Sequence, residues 1–411
     1  MPPTTTETTP RQQDRLYHDL FTPEEAQAVR TEVRAFADAH VAPQAHAIAV
    51  REESVESFPR ELFRKMGRAG LFAIPFGREN GGRGLKHRAT ATAVAIEELA
   101  YHSNSVAAIY DVHCILAGHA LEYASPALRD RYLLPVTRGE VVGAFATSEP
   151  DASTDLSLQA LGTHARLEGD TWVVNGRKRF ITNSPVADFV VALCRTGDGM
   201  SMLLVDLRAP GVRVGTPDRK MGNKGQLTAD IWFDEVRVPA SHLVGHPGQG
   251  LRIALATLTY GRLGIAATGV GMAQAVFDES VRHLKTRRAF GKRIGEFQHW
   301  QFLLAERATE IECARMLYTK AALRLDQGVE FPEPEAAMAK FYATRLAVDI
   351  ARDGVQVFGG YGFLQQLAAD GSTYKVEQVY RDAKIAEIYE GTNEIQRMVI
   401  ARGIFGKDVT G

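Results

Sequence analysis

The feature of this sequence that most limits its fold is a double change of hydrophobic rhythm. From Phe21 to about Gly139, apolar residues recur at helical spacing, as in Val29, Val33, Phe36 and Ala37. From about Val141 to Leu243 the texture is that of strands, with short apolar runs at Phe189 to Leu193 and Met202 to Val205. From Leu251 onward it is helical again. Helices, then strands, then helices, without alternation, exclude a doubly wound sheet. They predict an α+β multi-domain chain with an N-terminal helical domain (19–142), a middle β domain (143–245) and a C-terminal helical domain (246–411). The strands alone fit a barrel or a sandwich. The long C-terminal helices suggest an antiparallel four-helix bundle.

Local signals refine this. Thr22-Pro23-Glu24-Glu25 predicts a helix start with Thr22 as cap. Ser57 to Arg68 predicts a helix ended by Gly70. Two more helices are expected around Thr90 to Ala100 and Val106 to Ala117, and Ser125-Pro126 begins another. Gly169-Asp170 reads as a turn and Asn175-Gly176 as a hairpin turn. Pro239 ends the strand that contains Ile231, Phe233, Val236 and Val238. Long helices are predicted over Leu263 to Lys285, Gln298 to Asp326, Glu335 to Phe358, and Asn393 to Ile404. Pro332 and Pro334 break the middle pair.

Composition excludes several function classes. Lys plus Arg is 48 against 49 for Asp plus Glu, which leaves no nucleic-acid footprint. Cys114, Cys194 and Cys313 form neither a disulfide framework nor a C-x-x-C pair, and read as buried thiols in a reducing compartment. The opening MPPTTTETTPRQQD lacks the apolar core of a secretory signal and reads as a disordered tail over 1–18. No apolar run reaches the ~18 residues of a membrane span. The expected location is the cytoplasm.

Three segments could carry chemistry. No G-x-G-x-x-G or P-loop pattern is present. Gly359-Gly360-Tyr361-Gly362 follows a helix, so it either ends that helix or lets backbone approach a phosphate. Arg287 to Lys292 holds three cations in six residues, which suit a pyrophosphate or a solvated helix end. In Ile388 to Glu394, Thr392 or Asn393 can cap the last helix, and the free N–H groups there can hold an anion. Glu390 lies just before, on a turn beside Gly391. It is either a solvated carboxylate or, if buried against an apolar ligand, a usable base.

Together these pieces resemble the acyl-CoA dehydrogenases, from about Thr22 to Ile404. The motifs are Phe145-Ala146-Thr147-Ser148-Glu149-Pro150, Arg179-Phe180-Ile181-Thr182-Asn183, Phe233 to Pro239, Arg287 to Lys292, Gln356 to Phe363, and Glu390-Gly391-Thr392-Asn393. The resemblance implies a β-barrel between the helical domains, and FAD held between barrel and bundle. The strip Phe145, Ala146, Thr147, Ser148 and Thr154 would run along the flavin, with Phe180, Ile181 and Thr182 against its ring. Arg287, Phe290, Gln298, Gln356, Val357, Phe358, Gly359 and Gly360 would reach the pyrophosphate and adenosine of a neighbouring subunit's cofactor. Thr392 and Glu394 would line the cofactor near the last helix. Glu390 would be the catalytic base, and Thr154, Thr259, Arg262, Tyr389 and Gly391 would contact the substrate. A homotetramer and an electron-transfer flavoprotein as acceptor are also implied. The other helix position that carries the base in some members is Gly261 here.

Three departures from the family wording stand out. The strip reads Glu149-Pro150-Asp151-Ala152-Ser153-Thr154-Asp155, with Asp151 and Ser153 where glycines are usual. Thr259 stands where an aspartate helps hold the pantetheine arm, which brings a carrier-protein thioester into consideration beside acyl-CoA. The stretch Arg219 to Thr228 is also unusual. Flavin oxidases and monooxygenases share the implied fold, as would a flavin-binding scaffold without turnover; Glu390 argues against the monooxygenases, which lack that base.

Overall fold

The structure, a computed structural model, describes residues 11–410. Most of the expected tail's residues 1–18 lie outside that range, but the segment from Arg11 is docked. Gln13–Leu16 is helical. The Arg11 guanidinium donates to Glu98 at 3.1 Å and lies 3.2 Å from the centre of the Tyr101 ring. Residues 11–18 therefore depart from the expected disorder, and residues 1–10 lie outside the described range.

Helix α1 spans Glu24–Phe36 and buries Ala26, Val29 and Val33. It starts without a side-chain cap from Thr22; the Pro23 carbonyl accepts from the Ala26 and Gln27 amides instead. Helix α2 is Arg88–His102 and α3 is Asn104–Tyr110. After α3 the helix widens to π geometry over Asp111–Gly118, a form found often at functional sites. Ser125 caps its short helix as expected, by accepting from the Leu128 amide.

Buried charges tie this domain to the bundle. Glu97 accepts from Arg30 of α1 at 3.1 Å and from Arg315 of α5 (Gln298–Asp326) at 3.0 Å. Tyr318 of α5 donates to it as well. Burial alone would push the Glu97 carboxyl up, but Arg30 and Arg315 hold it down to about 2.

The middle domain is a sheet of β1 (Gly143–Ala146), β2 (His164–Glu168), β3 (Thr171–Thr182), β4 (Phe189–Thr196), β5 (Gly199–Asp206), β6 (Val212–Val214), β7 (Thr228–Pro239) and β8 (Leu243–Val244). The order is β6-β7-β3-β2-β4-β5-β8, with β1 parallel to β4. Side chains of β1 to β5 and β7 meet in one core, which includes Trp172, Val190, Leu203 and Ile231. The opposite faces of β1, β4 and β5 (Phe145, Val191, Leu193, Leu204) join the helical core instead. Burial on both faces explains the unbroken apolar run of β4.

Gly169-Asp170 joins β2 to β3 as expected, but Asn175-Gly176 is not a hairpin turn. It lies inside β3, where the register against β7 slips between Val174 and Gly176. The pair makes a bulge: Gly176 has φ +140, and a Cβ there would come 2.6 Å from the Thr163 Cα. Asn175 Oδ1 accepts from the Glu235 amide at 2.9 Å, which fixes the opposite strand.

The C-terminal domain holds α4 (Gly250–Thr286), α5, α6 (Glu335–Phe358), α7 (Lys375–Ala383) and α8 (Asn393–Phe405). Helix α7 has no counterpart in the sequence reading; only Val376, Val379 and Ala383 mark its apolar stripe. Helix α4 is long and apolar enough to cross a membrane, yet 89% of its most apolar window is buried within the protein. Among the thiols Cys114 and Cys194 are buried and Cys313, contrary to expectation, is exposed on α5.

Replacing Arg315 with Met would break one of the two buried ion pairs of Glu97, leaving Arg30 as its cationic partner. A loss of about 3–5 kcal/mol is expected, measurable as a lower urea midpoint by circular dichroism.

Candidate active site

The last helix begins where backbone strain is concentrated. Glu390 has φ +56 and Gly391 has φ +88, so the chain reverses before Thr392 caps α8 by accepting from the Ile395 amide. A left-handed glutamate is costly, and such strain clusters at functional sites. Lys340 of α6, fully buried, holds the turn: its ammonium donates to the Gly391 carbonyl at 2.9 Å and to Asn393 Oδ1 at 3.0 Å. Gln396 donates to the same carbonyl at 2.8 Å. Burial pushes the Lys340 ammonium down to about 7, against the pull of Glu390.

This turn aims Glu390 at α4. A Cβ on Gly261 would collide with Glu390 Oε2 and come 2.9 Å from Leu116 Cδ2. The carboxyl therefore fills the room that Gly261 leaves. The residue is half-buried, but Oε2 is buried and meets no donor among the described residues. Burial raises the Glu390 pKa well above the carboxylate range, although Lys340 and Arg262 oppose it.

The other expected substrate contacts are placed unevenly. Burial raises the Tyr389 hydroxyl pKa, and the Asn104 and Thr268 side chains beside it oppose that shift. Thr259 donates its hydroxyl proton to the Leu255 carbonyl at 2.8 Å, within its own helix. Arg262 pairs with Glu333 at 2.6 Å, which leaves its Nε unpartnered. Thr154 is exposed, and neighbouring Ser153 has φ +53, so serine keeps the left-handed backbone that the usual glycine would favour.

The expected flavin strip runs along β1 and β3. Phe145, Ala146, Thr147 and Ile181 are buried. The Thr147 carbonyl accepts from Lys178 at 3.3 Å and the Ser148 carbonyl from the Arg179 amide at 2.9 Å. Phe180 is 62% exposed at φ +60, an aromatic face free for stacking. Thr182 Oγ1 accepts from Gln226 at 3.2 Å.

A third group lines a cavity of about 600 Å³: Arg287, Gln356, Val357, Phe358, Gly359 and Gly360. A Cβ at Gly359 or Gly360 would meet nothing within 4 Å, so the backbone there is open to close approach. A cation beside bare backbone suits a pyrophosphate. Phe290 is 95% exposed near this cavity's chain segment, and Gln298 and Glu394 are exposed as well. An open cation–glycine cradle and an exposed ring-stacking aromatic are what a dinucleotide such as FAD requires.

Sequence reasoning missed several residues. Asp111 is fully buried, and a Cβ on Gly264 would collide with its Oδ1. Its signal was a lone charge in the apolar stretch Val106 to Ala117. Lys340 was likewise a lone cation among Ala336, Ala337, Ala339 and Ala343, all on the buried face of α6. Asn223, in the unusual stretch Arg219 to Thr228, accepts from Asn104 at 3.1 Å and donates to Gln226 at 3.0 Å. Only tertiary packing makes that relay.

These features define a flavin-dependent oxidoreductase. Family models for the acyl-CoA dehydrogenase N-terminal, middle and C-terminal domains match residues 23–140, 144–236 and 248–405. A 3-(aryl)acrylate reductase from Clostridium sporogenes is 37% identical over 94% of this chain and 100% of its own length. A short-chain acyl-CoA dehydrogenase from Clostridium acetobutylicum is 37% identical over 93% of this chain and 98% of its own. A caffeyl-CoA reductase-Etf complex subunit, CarC, from Acetobacterium woodii is 38% identical over 85% and 90%. The solved butyryl-CoA dehydrogenase of Megasphaera elsdenii superposes with a TM-score of 0.86 at 32% identity, covering 94% of this chain and 100% of that one. The chain belongs to the acyl-CoA dehydrogenase family: it is an FAD-dependent enzyme that acts on CH–CH bonds.

Gly261→Ala should leave the fold and FAD content intact, because only side-chain ends, those of Glu390 and Leu116, must move. Displacing that carboxyl by about 1 Å should lower kcat by ~100-fold, checked by stopped-flow flavin bleaching.

Proposed function

We propose that Glu390 is the base that removes the α-proton of an acyl-CoA, yielding the trans-2-enoyl thioester. The supporting observation is its buried, unpartnered carboxyl over Gly261. The Lys340 and Gln396 hydrogen bonds hold the turn so that this carboxyl enters the cleft with little reorganisation. An α C–H is a poor acid, so the base must be strong; burial supplies that by destabilising the charged carboxylate. FAD supplies the acceptor for the β-hydride. Backbone N–H groups at the Glu390 turn favour the developing charge on the thioester oxygen. In the reverse direction, which two of the relatives' names describe, the same carboxyl returns the α-proton.

Free CoA is the carrier we favour over a carrier protein, since the relatives' names specify CoA thioesters. An electron-transfer flavoprotein is the acceptor we favour, by likeness to the caffeyl-CoA reductase-Etf subunit. A homotetramer is supported by the exposed Phe290, Phe363, Ile404 and Phe405 of the C-terminal domain. Phe363 lines the Arg287 cavity, and a second copy would cover these apolar side chains.

Glu390→Gln should keep its yellow flavin but lose acyl-CoA-dependent bleaching under anaerobic conditions; an unchanged rate would remove Glu390 from the role. The acting base must be ionised, and its pKa is raised. The kcat/KM of the native enzyme should therefore rise with pH along a limb well above ~4.3, the ordinary Glu value. A limb at that ordinary value would contradict the burial argument.

A further inference from the structure

Beside Glu390 lies a second carboxyl that α-proton removal does not use. Asp111 has no exposed surface, and neither of its oxygens meets a donor among the described residues. It sits over Gly264 as Glu390 sits over Gly261: a Cβ on Gly264 would come 3.0 Å from the Asp111 Cγ. Positions three apart on a helix are neighbours about 5–6 Å apart. The π-widened turn that begins at Asp111 places it on the α4 side. Glu390 is half-buried and Asp111 wholly so, which makes Asp111 the deeper of the two.

A buried carboxyl without a partner is costly and performs no structural task that a leucine would not perform better. The Tyr389 hydroxyl is buried nearby, close to the Asn104 and Thr268 side chains and within the field of both carboxyls. Asp111 thus presents an unpaired polar head about one helical turn along α4 from the Glu390 carboxyl. Burial, reinforced by the Glu390 charge, keeps Asp111 protonated, so it offers one O–H donor and an acceptor oxygen. A plain alkyl tail would leave Asp111 unsatisfied; an oxygen on that tail would engage it.

We infer that Asp111 is a specificity-determining anchor for an acyl group that carries a hydroxyl or other oxygen substituent a few bonds beyond its β-carbon. This rests on the acyl-thioester reading above. A site built to hydrogen-bond a hydroxyl rejects the analogue that lacks it far more strongly than an apolar pocket rejects an added one.

The test uses the FAD-loaded enzyme with hexanoyl-CoA and with 4-, 5- and 6-hydroxyhexanoyl-CoA, read as kcat/KM from flavin bleaching. At least one hydroxylated isomer should exceed hexanoyl-CoA by about tenfold or more. Asp111→Leu should reverse that order, and the isosteric Asp111→Asn should keep a reduced preference; flavin content reports folding. Hexanoyl-CoA matching or beating all three isomers overturns the inference. So does an Asp111→Leu variant that scales all four substrates alike, as a merely structural residue would. Either result leaves acyl-thioester dehydrogenation standing, whereas no bleaching by any of the four overturns both.

Discussion

The site depends on what α4 lacks. Gly261 makes room for the Glu390 carboxyl and Gly264 for Asp111. One and two turns further, Gly269 lets the Ala343 carbonyl of α6 come within 2.7 Å of where a Cβ would be, and Gly271 admits the Glu97 carbonyl of α2. A helix interior normally disfavours glycine by roughly 1 kcal/mol each. Here the burial of α4 on nearly every side offsets that penalty, and the absent side chains let three neighbouring elements close around it. Catalytic geometry and domain packing thus draw on the same stripe of small residues.

Around that stripe the polar groups fall into two kinds. The network of Arg30, Glu97, Arg315 and Tyr318 pairs its charges with one another and joins the first domain to the bundle. Near the turn at Glu390, by contrast, Glu390 Oε2 and both Asp111 oxygens are unsatisfied among the described residues. Completed networks rigidify a core, whereas unpaired buried groups await a ligand. The relay from Asn104 through Asn223 and Gln226 to Thr182 runs from α3 to the expected flavin strip, so the two regions share one scaffold.

Much of this was legible in the sequence. Helices such as Gln298–Asp326 and Glu335–Phe358 match the expected limits, because apolar spacing over many turns leaves little freedom. Glu390 and the Arg287 and Gly359-Gly360 segments were visible as short motifs with local meaning. Asn175-Gly176 misled because a positive φ serves a bulge as well as a turn, and only the partner strand decides. Asp111, Lys340 and Asn223 were not read because their roles arise from contacts between residues more than a hundred positions apart or from burial that a single chain pattern does not reveal. Each did leave a trace, as a charged or amide side chain set in an otherwise apolar or unusual stretch.

The two-sided burial of β4 carries a further consequence. Val190, Ala192 and Cys194 face the interior of the β domain, whereas Phe189, Val191 and Leu193 face the helices. Neighbouring residues on one strand therefore answer to different environments: even positions pack the sheet domain's own core, and odd positions set the seam along which it meets the helical layer. An engineer could adjust the seating of the cofactor-bearing domain from the odd positions alone, without touching the packing that keeps that domain intact.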